Sequence, residues 1–448
     1  MRTRCSVILV VFCALLSGGS AFGQPVLSET FTTDPAGSGW VPRSPGSPSW
    51  VDGPYTGPTW WTGGDGYITV ATDSHMVQSP QFAVDAGAYY KVEFDSRGPS
   101  GPGNIELVGV NLAATYGKWT KPPSWTGDPN QLTPISTQFA GSASWTSNVE
   151  YFRVRPNAVN SFVRFQAKTA AESGNVNIDN VTVTKAASMA QVKSWADSVY
   201  AQIPPVQYAP TDPNRFTGLS RTMAKLQAGQ PVTIVMLGDS IMDDTSNSTL
   251  DALLQGRYGS QVTIVPAVGS GTSMKDWNNE SNWDPNLGYL NVQANVVDVQ
   301  PDLVMMGGIS NRTETGSLPC YDDFRELIDK IRTMVQNDHG YTVDIMLLTG
   351  VLSDYGDASG YLAGLEAIAA QKGTAVFDIR SAWNDYLADA AALGYDHQFF
   401  MRDSYLIHGN TFGKQAVGRL LDAHLAPEPA TLALLAAGLV TLIRRRRR

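Results

Sequence analysis

The stretch from Val232 to Ile241 reads V-T-I-V-M-L-G-D-S-I and decides how the rest of the chain is interpreted. Its apolar, β-branched run has no helical spacing and ends abruptly in Gly238-Asp239-Ser240, which is typical of a buried parallel strand meeting a loop at its carboxyl end. Ligands of open α/β sheets bind at that edge. Ser240 is therefore a candidate nucleophile, provided that a base lies within hydrogen-bond reach. The alternative is that the tripeptide is only a turn, in which Asp239 or Ser240 caps the next helix.

Apolar runs alternate with helical patterns in the whole region after this stretch. The runs predict strands at Val262–Val265, Leu303–Met306, Val343–Leu348 and Thr374–Ile379. The patterns predict helices at Leu250–Gln255, Tyr321–Asp338, Gly360–Gln371 and Asn410–Leu425. Such alternation predicts βαβ units, and hence a parallel sheet between helices in a three-layer α/β/α fold of about 200 residues.

Polar groups follow the strand that begins at Val232 and the next two predicted strands. A further pair of polar groups precedes the last predicted helix. The segments are Gly238-Asp239-Ser240, Gly269-Ser270-Gly271, Gly308-Ile309-Ser310-Asn311, and the pair Asp403 and His408. Since the carboxyl ends of parallel strands meet at one edge, the sequence predicts that these groups come together. Acyl transfer needs such a set: a nucleophile, an imidazole base, a carboxylate that orients it, and donors for the oxyanion.

With these four blocks in this order, residues 230–425 resemble the SGNH (GDSL) hydrolases, a family of esterases, lipases and carbohydrate deacetylases with a flavodoxin-like fold. The resemblance implies that Ser240 is the nucleophile and that His408 is the base, oriented by Asp403. It also implies an oxyanion hole formed by the Ser240 N–H, the Gly271 N–H (Gly269 is the alternative) and the side-chain amide of Asn311. This mechanism requires no cofactor.

Two spacings depart from the family pattern. Asn311 follows the glycine of its block by three residues rather than two, so either Asn311 still points inward or Ser310 takes the donor role. We favour Asn311, because an amide N–H reaches farther than a hydroxyl. Four residues instead of two separate Asp403 from His408. If Asp403 does not reach the imidazole, His408 acts unassisted or with Asp396.

The other titratable residues are given structural interpretations. Asp239 is expected to form a turn and accept hydrogen bonds, and Asp243 and Asp244 to shape the pocket or cap a helix. His339, beside Gly340, is expected to cap the end of a helix. We predict no metal site, because the remaining histidines have no convergent partners: His75, His397 and His424.

Residues 24–187 are rich in Gly, Pro, Ser, Thr and Trp and contain short alternating runs, such as Tyr90-Val92-Phe94. Several short strands between turn residues predict an antiparallel β-sandwich. The inward-facing parity changes at Asp179-Asn180, which predicts a bulge. The closing N-V-N-I-D-N-V-T-V resembles the last strand of jelly-roll carbohydrate-binding modules. Residues 188–226 are predicted to be a helical linker, with helical spacing from Met189 to Ile203 and a second helix at Leu219–Ala228.

Tryptophans are concentrated in the predicted sandwich, which holds seven of the eleven in the chain. Their indoles either form a platform on which sugars stack or plug the ends of the sandwich, and both interpretations stay open. The seven are Trp40, Trp50, Trp60, Trp61, Trp119, Trp125 and Trp145.

Both ends of the chain have the pattern of processing signals. Residues 1–23 combine early arginines, an apolar run and small residues, which predicts a secretory signal peptide. At the other end, Pro427-Glu428-Pro429, an apolar segment at Ala430–Ile443 and five arginines resemble the PEP-CTERM sorting signal of Gram-negative bacteria. The resemblance implies export across the inner membrane, processing by an exosortase, and membrane contact through this segment alone, as a transmembrane helix. We expect the protein in the cell envelope, at the surface or secreted.

Composition narrows the function classes. A net charge of −9, with only 16% charged residues, argues against a nucleic-acid partner. With Cys5 and Cys13 in the predicted leader, Cys320 is the one thiol of the exported chain, so no internal disulfide is expected. The sequence therefore predicts an exported serine esterase that removes ester groups, O-acetyl above all, from a polysaccharide. The alternatives are a lipolytic or short-chain carboxylesterase, and a non-catalytic glycan-binding protein of the envelope or matrix.

Overall fold

The computed structural model describes residues 25–31, 35–43, 67–70, 76–98, 103–110, 135–139, 142–156, 158–167, 176–269, 271–280, 283–284, 288–308, 321–350, 360–401, 406 and 408–427. Several predictions concern residues outside these ranges. They are the leader, the apolar tail, His75, Ser310, Asn311, Cys320, Asp403, and the tryptophans at 50, 60, 61, 119 and 125.

The region before residue 187 consists of short strands in two antiparallel sheets. One sheet has the order β1-β11-β6-β9 with β3 beside β11, and the other has the order β2-β4-β10-β7-β8 with β5 beside β10. We call these residues (25–185) the sandwich region. Its strands are β1 (Pro25–Glu29), β2 (Val41–Arg43), β3 (Ile68–Val70), β4 (Met76–Gln78), β5 (Phe82–Ala83), β6 (Tyr89–Gly98), β7 (Gly103–Val110), β8 (Ile135–Phe139), β9 (Ser142–Arg153), β10 (Asn160–Ala167) and β11 (Val176–Lys185).

Alternating side chains of both sheets enclose one apolar core, as the period-two runs predicted. Phe94 of β6 contacts Phe165 of β10 across the core, with ring centroids 5.0 Å apart. The bulge predicted at Asp179-Asn180 is confirmed, because the register of β11 on β6 shifts between Asp179 and Thr182 and Asn180 has φ 50°. Of the two tryptophans described in the sandwich region, Trp40 is fully buried and Trp145 is 40% exposed, so Trp40 packs in the core and a sugar-stacking role stays a prediction for Trp145 alone of the two.

The region after residue 219 is built on a parallel sheet with the order β13-β12-β16-β17-β18. Numbered along the chain, this order is 2-1-3-4-5, the flavodoxin-like order, whose switch point lies beside the first strand. We call residues 220–427 the α/β region. The strands are β12 (Val232–Gly238), β13 (Val262–Val268), β16 (Leu303–Gly307), β17 (Asp344–Leu348) and β18 (Ala375–Phe377), and β14 (Trp283–Asp284) and β15 (Gly288–Tyr289) form a separate antiparallel pair.

Successive residues of β12 enter two different apolar clusters. Ile234 and Met236 pack with residues of the last two helices, whereas Val235 and Leu237 pack with residues of the helices that follow β13 and β16. The helices are α1 (Met189–Tyr200), α2 (Ser220–Gln227), α3 (Ser240–Ser246), α4 (Leu250–Tyr258), α5 (Met274–Asn279), α6 (Tyr321–His339), α7 (Tyr361–Lys372), α8 (Ile379–Ala392) and α9 (Thr411–Leu425).

The predicted carboxyl end of the last strand is wrong. The strand predicted at Thr374–Ile379 stops at Phe377, and Ile379 begins α8, which the sequence analysis missed together with α3 and α5. The apolar run conceals the boundary, since Asp378 interrupts it and accepts a hydrogen bond from the Ser381 N–H as a helix cap. In the part of the chain that the structure describes, no helix is both long and apolar enough to span a membrane.

Candidate active site

Ser240 lies where β12 meets α3, at the carboxyl edge of the sheet and beside the switch point. Asp239 is the N-cap of α3: its Oδ1 accepts a hydrogen bond of 2.9 Å from the Ile241 N–H. The end of β16 approaches the same point. Gly308 has φ +129°, and a Cβ there would collide with the Asp239 carboxylate, so this position requires glycine. The nucleophile candidate is thus held at a closely packed strand end and remains partly exposed.

His408 is positioned by a backbone bridge at the next residue and by the capped helix that follows. Met401 and Gly409 form an antiparallel bridge across the base of the loop, and Asn410 caps α9 by accepting a hydrogen bond of 3.1 Å from the Gly413 N–H. The Asn410 amide also donates to the Phe399 carbonyl at 2.7 Å. His408 therefore lies next to two fixed residues, although it belongs to a loop.

The imidazole is paired with a carboxylate that the sequence analysis did not assign to it. His408 Nδ1 lies 2.8 Å from Asp244 Oδ2, and the Asp244 side chain is only 5% exposed. Because an ionised carboxylate only accepts hydrogen bonds, this contact places the proton on Nδ1 and leaves Nε2 as the acceptor nitrogen. The pair can therefore act as a general base and its orienting acid.

Asp244 and Ser240 belong to the same short helix. Residues four apart lie on one face of a helix, with Cβ atoms about 5–6 Å apart. Because Asp244 holds Nδ1 of His408, the ring lies beside the face of α3 that carries Ser240 at its N-terminus. The i, i+4 spacing was visible in the sequence, but it becomes informative only once α3 is recognised as a helix.

Glycines of the second block differ in what their backbone N–H groups do. The Gly269 N–H donates to the Gly238 carbonyl at 2.9 Å and is thus already engaged. The same carbonyl accepts from Thr272 Oγ1 and from Trp277 Nε1, each at 3.3 Å, so the loop is tied to the end of β12. Gly271 is exposed and has φ +72°, which favours glycine. This geometry favours Gly271 over Gly269 as an oxyanion donor.

The remaining site candidates have the following positions. Asp396, the alternative partner for His408, caps a short 3-10 turn (His397–Phe400) by accepting from the Phe399 N–H at 2.8 Å. His339 lies at the end of α6 with Nε2 3.0 Å from the Val297 carbonyl. Asp403 and Asn311 lie outside the described residues, and their roles stay predictions. Across the described ranges, no group of three or more His, Cys, Asp or Glu side chains could hold a metal ion.

The sandwich region contacts both elements that carry the site. Arg155, which follows β9, binds Asp243 of α3 in a fork with N–O distances of 2.5 and 2.6 Å. At the start of α9, the Thr411 N–H donates to Thr137 Oγ1 at 3.0 Å and the Thr411 hydroxyl donates to Glu150 Oε2 at 3.0 Å. Burial raises the pKa of Glu150 to about 8. These contacts, unlike the strand ends, had no signal in the sequence.

Comparison with known proteins gives one motif. A family model described as the PEP-CTERM protein-sorting motif matches residues 425–448, which confirms the prediction made for the tail. This motif indicates export to the cell envelope or surface and implies processing by an exosortase. No curated protein matches the chain.

The solved structures that match parts of this chain include several esterases. A two-domain esterase active on acetylated mannans is 16% identical with a TM-score of 0.35, and the match covers 47% of this chain and about half (52%) of that chain. A family two carbohydrate esterase from Cellvibrio japonicus is 13% identical, covers 89% and 96%, and has a TM-score of 0.28. A lipase/acylhydrolase from Enterococcus faecalis is 16% identical, covers 43% and 93%, and has a TM-score of 0.29.

Proposed function

We propose that the protein is an exported serine hydrolase that cleaves ester bonds, with Ser240 as nucleophile, His408 as base and Asp244 as the acid that orients it. The observation that carries the proposal is the 2.8 Å contact of His408 Nδ1 with Asp244 Oδ2, one helical turn from Ser240. The proposal includes the predicted architecture: a jelly-roll sandwich (24–187), a helical linker (188–226), a three-layer α/β/α hydrolase domain of the SGNH type (227–426) and the sorting segment (427–448).

The proposed reaction follows from the position of the proton on the imidazole of His408, with Nδ1 protonated and Nε2 free to accept a proton. Nε2 of His408 takes the proton from Ser240 Oγ while Oγ attacks the ester carbonyl carbon. Nε2 then returns the proton to the leaving alcohol oxygen as the carbon–oxygen bond breaks, which leaves an acyl-enzyme. Water attacks this ester in the same way and gives a proton to Nε2, which returns it to Ser240 Oγ as the bond between Oγ and the acyl carbon breaks and the carboxylic acid is released. Asp244 stabilises the imidazolium formed in each half of the reaction.

Charge develops on the carbonyl oxygen in both tetrahedral intermediates. We assign the donors that stabilise it to the backbone N–H groups of Ser240 and Gly271 and the side-chain amide of Asn311. Gly271 is supported by its exposed position at the carboxyl edge and by the engagement of the Gly269 N–H elsewhere. Removal of one such donor raises the activation barrier of a serine hydrolase by about 3–4 kcal/mol.

We propose that the ester is an O-acyl group, O-acetyl above all, on a polysaccharide. The support comes from the surface of the sandwich region, where Trp145 is 40% exposed and has Tyr67 edge-on at 5.7 Å between centroids. Arg97 lies over the Trp145 ring, 4.9 Å from its centroid, so we expect a sugar ring to stack on the other face of the indole. Localisation in the cell envelope, indicated by the sorting motif, brings the enzyme to such polymers.

Hydrolysis of p-nitrophenyl acetate by the purified protein, compared with Ser240→Ala, tests the proposal. We expect the variant to lose about a thousandfold or more in kcat, as in serine triads. Ser246→Ala is the matched control, because Ser246 lies on the same helix and its hydroxyl donates only to the Asp243 carbonyl at 2.7 Å among the described contacts. Activity that is absent, or that survives Ser240→Ala, would exclude the serine hydrolase. Acetate release from acetylated xylan, pectin and exopolysaccharide then ranks the substrates.

A further inference from the structure

Lys414 lies between carboxylates that belong to the two regions of the molecule. Its Nζ is 3.6 Å from Asp244 Oδ1, the oxygen that His408 does not use, and its side chain is only 7% exposed. The charge of Lys414 also acts on Glu150 of the sandwich region, where it lowers a pKa that burial raises. A buried ammonium group is costly unless nearby carboxyl groups balance its charge, and Asp244 lies close enough to Lys414 to do so.

The sandwich region determines where Lys414 lies. Lys414 belongs to the first turn of α9, and Thr411 of that turn hydrogen-bonds to both Thr137 and Glu150. The same turn follows His408 by three residues. A displacement of the sandwich would therefore move Lys414 and the attachment of His408 together.

The helix of the nucleophile is held in a similar way. Arg155 is 2% exposed, and its fork on Asp243 fixes the residue next to Asp244. A bidentate arginine–carboxylate pair restrains orientation as well as position. Both partners of the proposed His408–Asp244 pair thus have a neighbour fixed by the sandwich region.

We propose that Lys414 is a positioning residue for ester hydrolysis: its ammonium group keeps Asp244 ionised and directed at His408, and Glu150 of the sandwich region adjusts the charge that Lys414 presents. The proposal rests on the function proposed above for Ser240, His408 and Asp244. It makes the sandwich a part of the active site, in addition to any role in holding a glycan.

The physical basis is the balance of charge around the imidazole. Asp244 favours the imidazolium form of His408, whereas the nearby Lys414 favours the neutral form that can accept a proton. Two further charges lie beside Asp244: Asp243 is the preceding residue of α3, and Arg155 of the sandwich region is paired with it. The negative charge of Asp243 and the positive charge of Arg155 offset each other. Glu150 is neutral below its pKa of about 8, so Lys414 acts with its full charge at lower pH.

The test compares the pH dependence of kcat/KM for the full chain and for Lys414→Met, from about pH 5 to about pH 9. Loss of the cation beside Asp244 should move the acid limb of the profile, where activity falls at low pH, up by about one pH unit. Lys414→Arg keeps the positive charge, so the acid limb of its kcat/KM profile should lie at the same pH as in the original protein. The control is Lys185→Met, which removes a lysine from an exposed pair with Asp85 and should not move the limb.

Glu150→Gln separates the contribution of the sandwich region. Because Glu150 is neutral below about pH 8, the variant should keep the acid limb of the original protein. Above about pH 8 it should lack the further change in kcat/KM that ionisation of Glu150 causes in the original protein. A merely structural role for Lys414 and Glu150 would lower the plateau in both variants without moving a limb.

A second measurement does not depend on hydrolysis. In the Ser240→Ala background, NMR of the labelled histidine rings, with His408 assigned by His408→Asn, follows the titration of the imidazole directly. The midpoint of this titration should rise by about one pH unit in Lys414→Met. An unchanged midpoint in a folded variant would overturn the inference even if the hydrolase stands. A shifted midpoint without any esterase activity would instead contradict only the proposed function.

Discussion

Helix α9 has a histidine near each end, and the two have opposite surroundings. His408, just before the helix, is 24% exposed and holds the carboxylate of Asp244 at 2.8 Å. His424, in the last turn, is 4% exposed and stacks on Phe377 with centroids 3.9 Å apart. The Tyr208 hydroxyl lies 3.0 Å from its Nδ1, and burial lowers the pKa of His424 to about 4.

This difference shows that the partners of a histidine decide what it can do. The two ends of α9 meet unlike environments: the residues before its start contact Asp244 of α3, and its last turn contacts Tyr208 and Phe377. A carboxylate partner and partial exposure to solvent suit His408 to the proposed role of general base. An aromatic stack with no carboxylate contact among the described residues keeps His424 neutral, and the ring attaches the end of α9 to β18.

Exchanging each histidine for glutamine should therefore give opposite results. His408→Gln should lower kcat for p-nitrophenyl acetate by about 10⁴-fold, because the general base is lost. His424→Gln should leave kcat of the folded protein unchanged and lower the free energy of unfolding by about 2 kcal/mol, through lost packing. Steady-state kinetics and chemical denaturation of both variants measure the two effects. A comparable loss of kcat in His424→Gln would contradict the distinction between the two ends.

A smaller effect separates the two candidate acids at the active end of α9. Asp244→Asn should lower kcat by about 10³-fold, because the imidazole loses the carboxylate that fixes its tautomer and stabilises its positive form. Asp403→Asn should change kcat by less than about tenfold if Asp244 alone fills this role. The opposite ranking in the same kinetic assay would assign the acid to Asp403, as the family resemblance implies.

The sheet and most of its helices could be predicted from the sequence. Buried parallel strands have uninterrupted apolar runs, and the blocks that end in Ser240 and precede His408 are local patterns. Gly308 was recognised as the glycine of the third block, and the structure gives the reason for glycine there: its φ is +129° and a Cβ would collide with the Asp239 carboxylate. Features that depend on the spacing of apolar residues or on local motifs can thus be predicted from the sequence alone.

Asp244 was missed for a physical reason. α3 has only seven residues and begins directly at the nucleophile, so no apolar period identifies it as a helix. Without the helix, the spacing from Ser240 has no meaning, and a carboxylate near His408 in sequence is the natural choice. Contacts such as Glu150 with Thr411 join residues 261 positions apart, and no local pattern encodes them.

The structural histidine also predicts a dependence of stability on pH. The ordinary pKa of 6.5 applies to His424 in the unfolded chain, whereas the folded value is about 4. Stability from this group is therefore complete above pH 6.5 and is lost as the pH falls towards 4, because the unfolded chain binds the proton first. The total loss is about 3 kcal/mol, at 1.36 kcal/mol per pKa unit.

Glu150 acts in the opposite direction, so the effect of His424 must be measured as a difference between variants. The buried carboxyl of Glu150 keeps its proton up to about pH 8 instead of 4.5, and stability from it is lost as the pH rises through this interval. Glu150 and His424 contact opposite ends of α9, about 20 Å apart, so their contributions should add. Denaturation of the original protein and of His424→Gln at several pH values should give two curves that approach each other below pH 6.5 and cross before pH 4, because the original protein starts about 2 kcal/mol higher and loses about 3 kcal/mol. Parallel curves would mean that His424 does not titrate with folding, and the contrast between the two ends of α9 would then rest on catalysis alone.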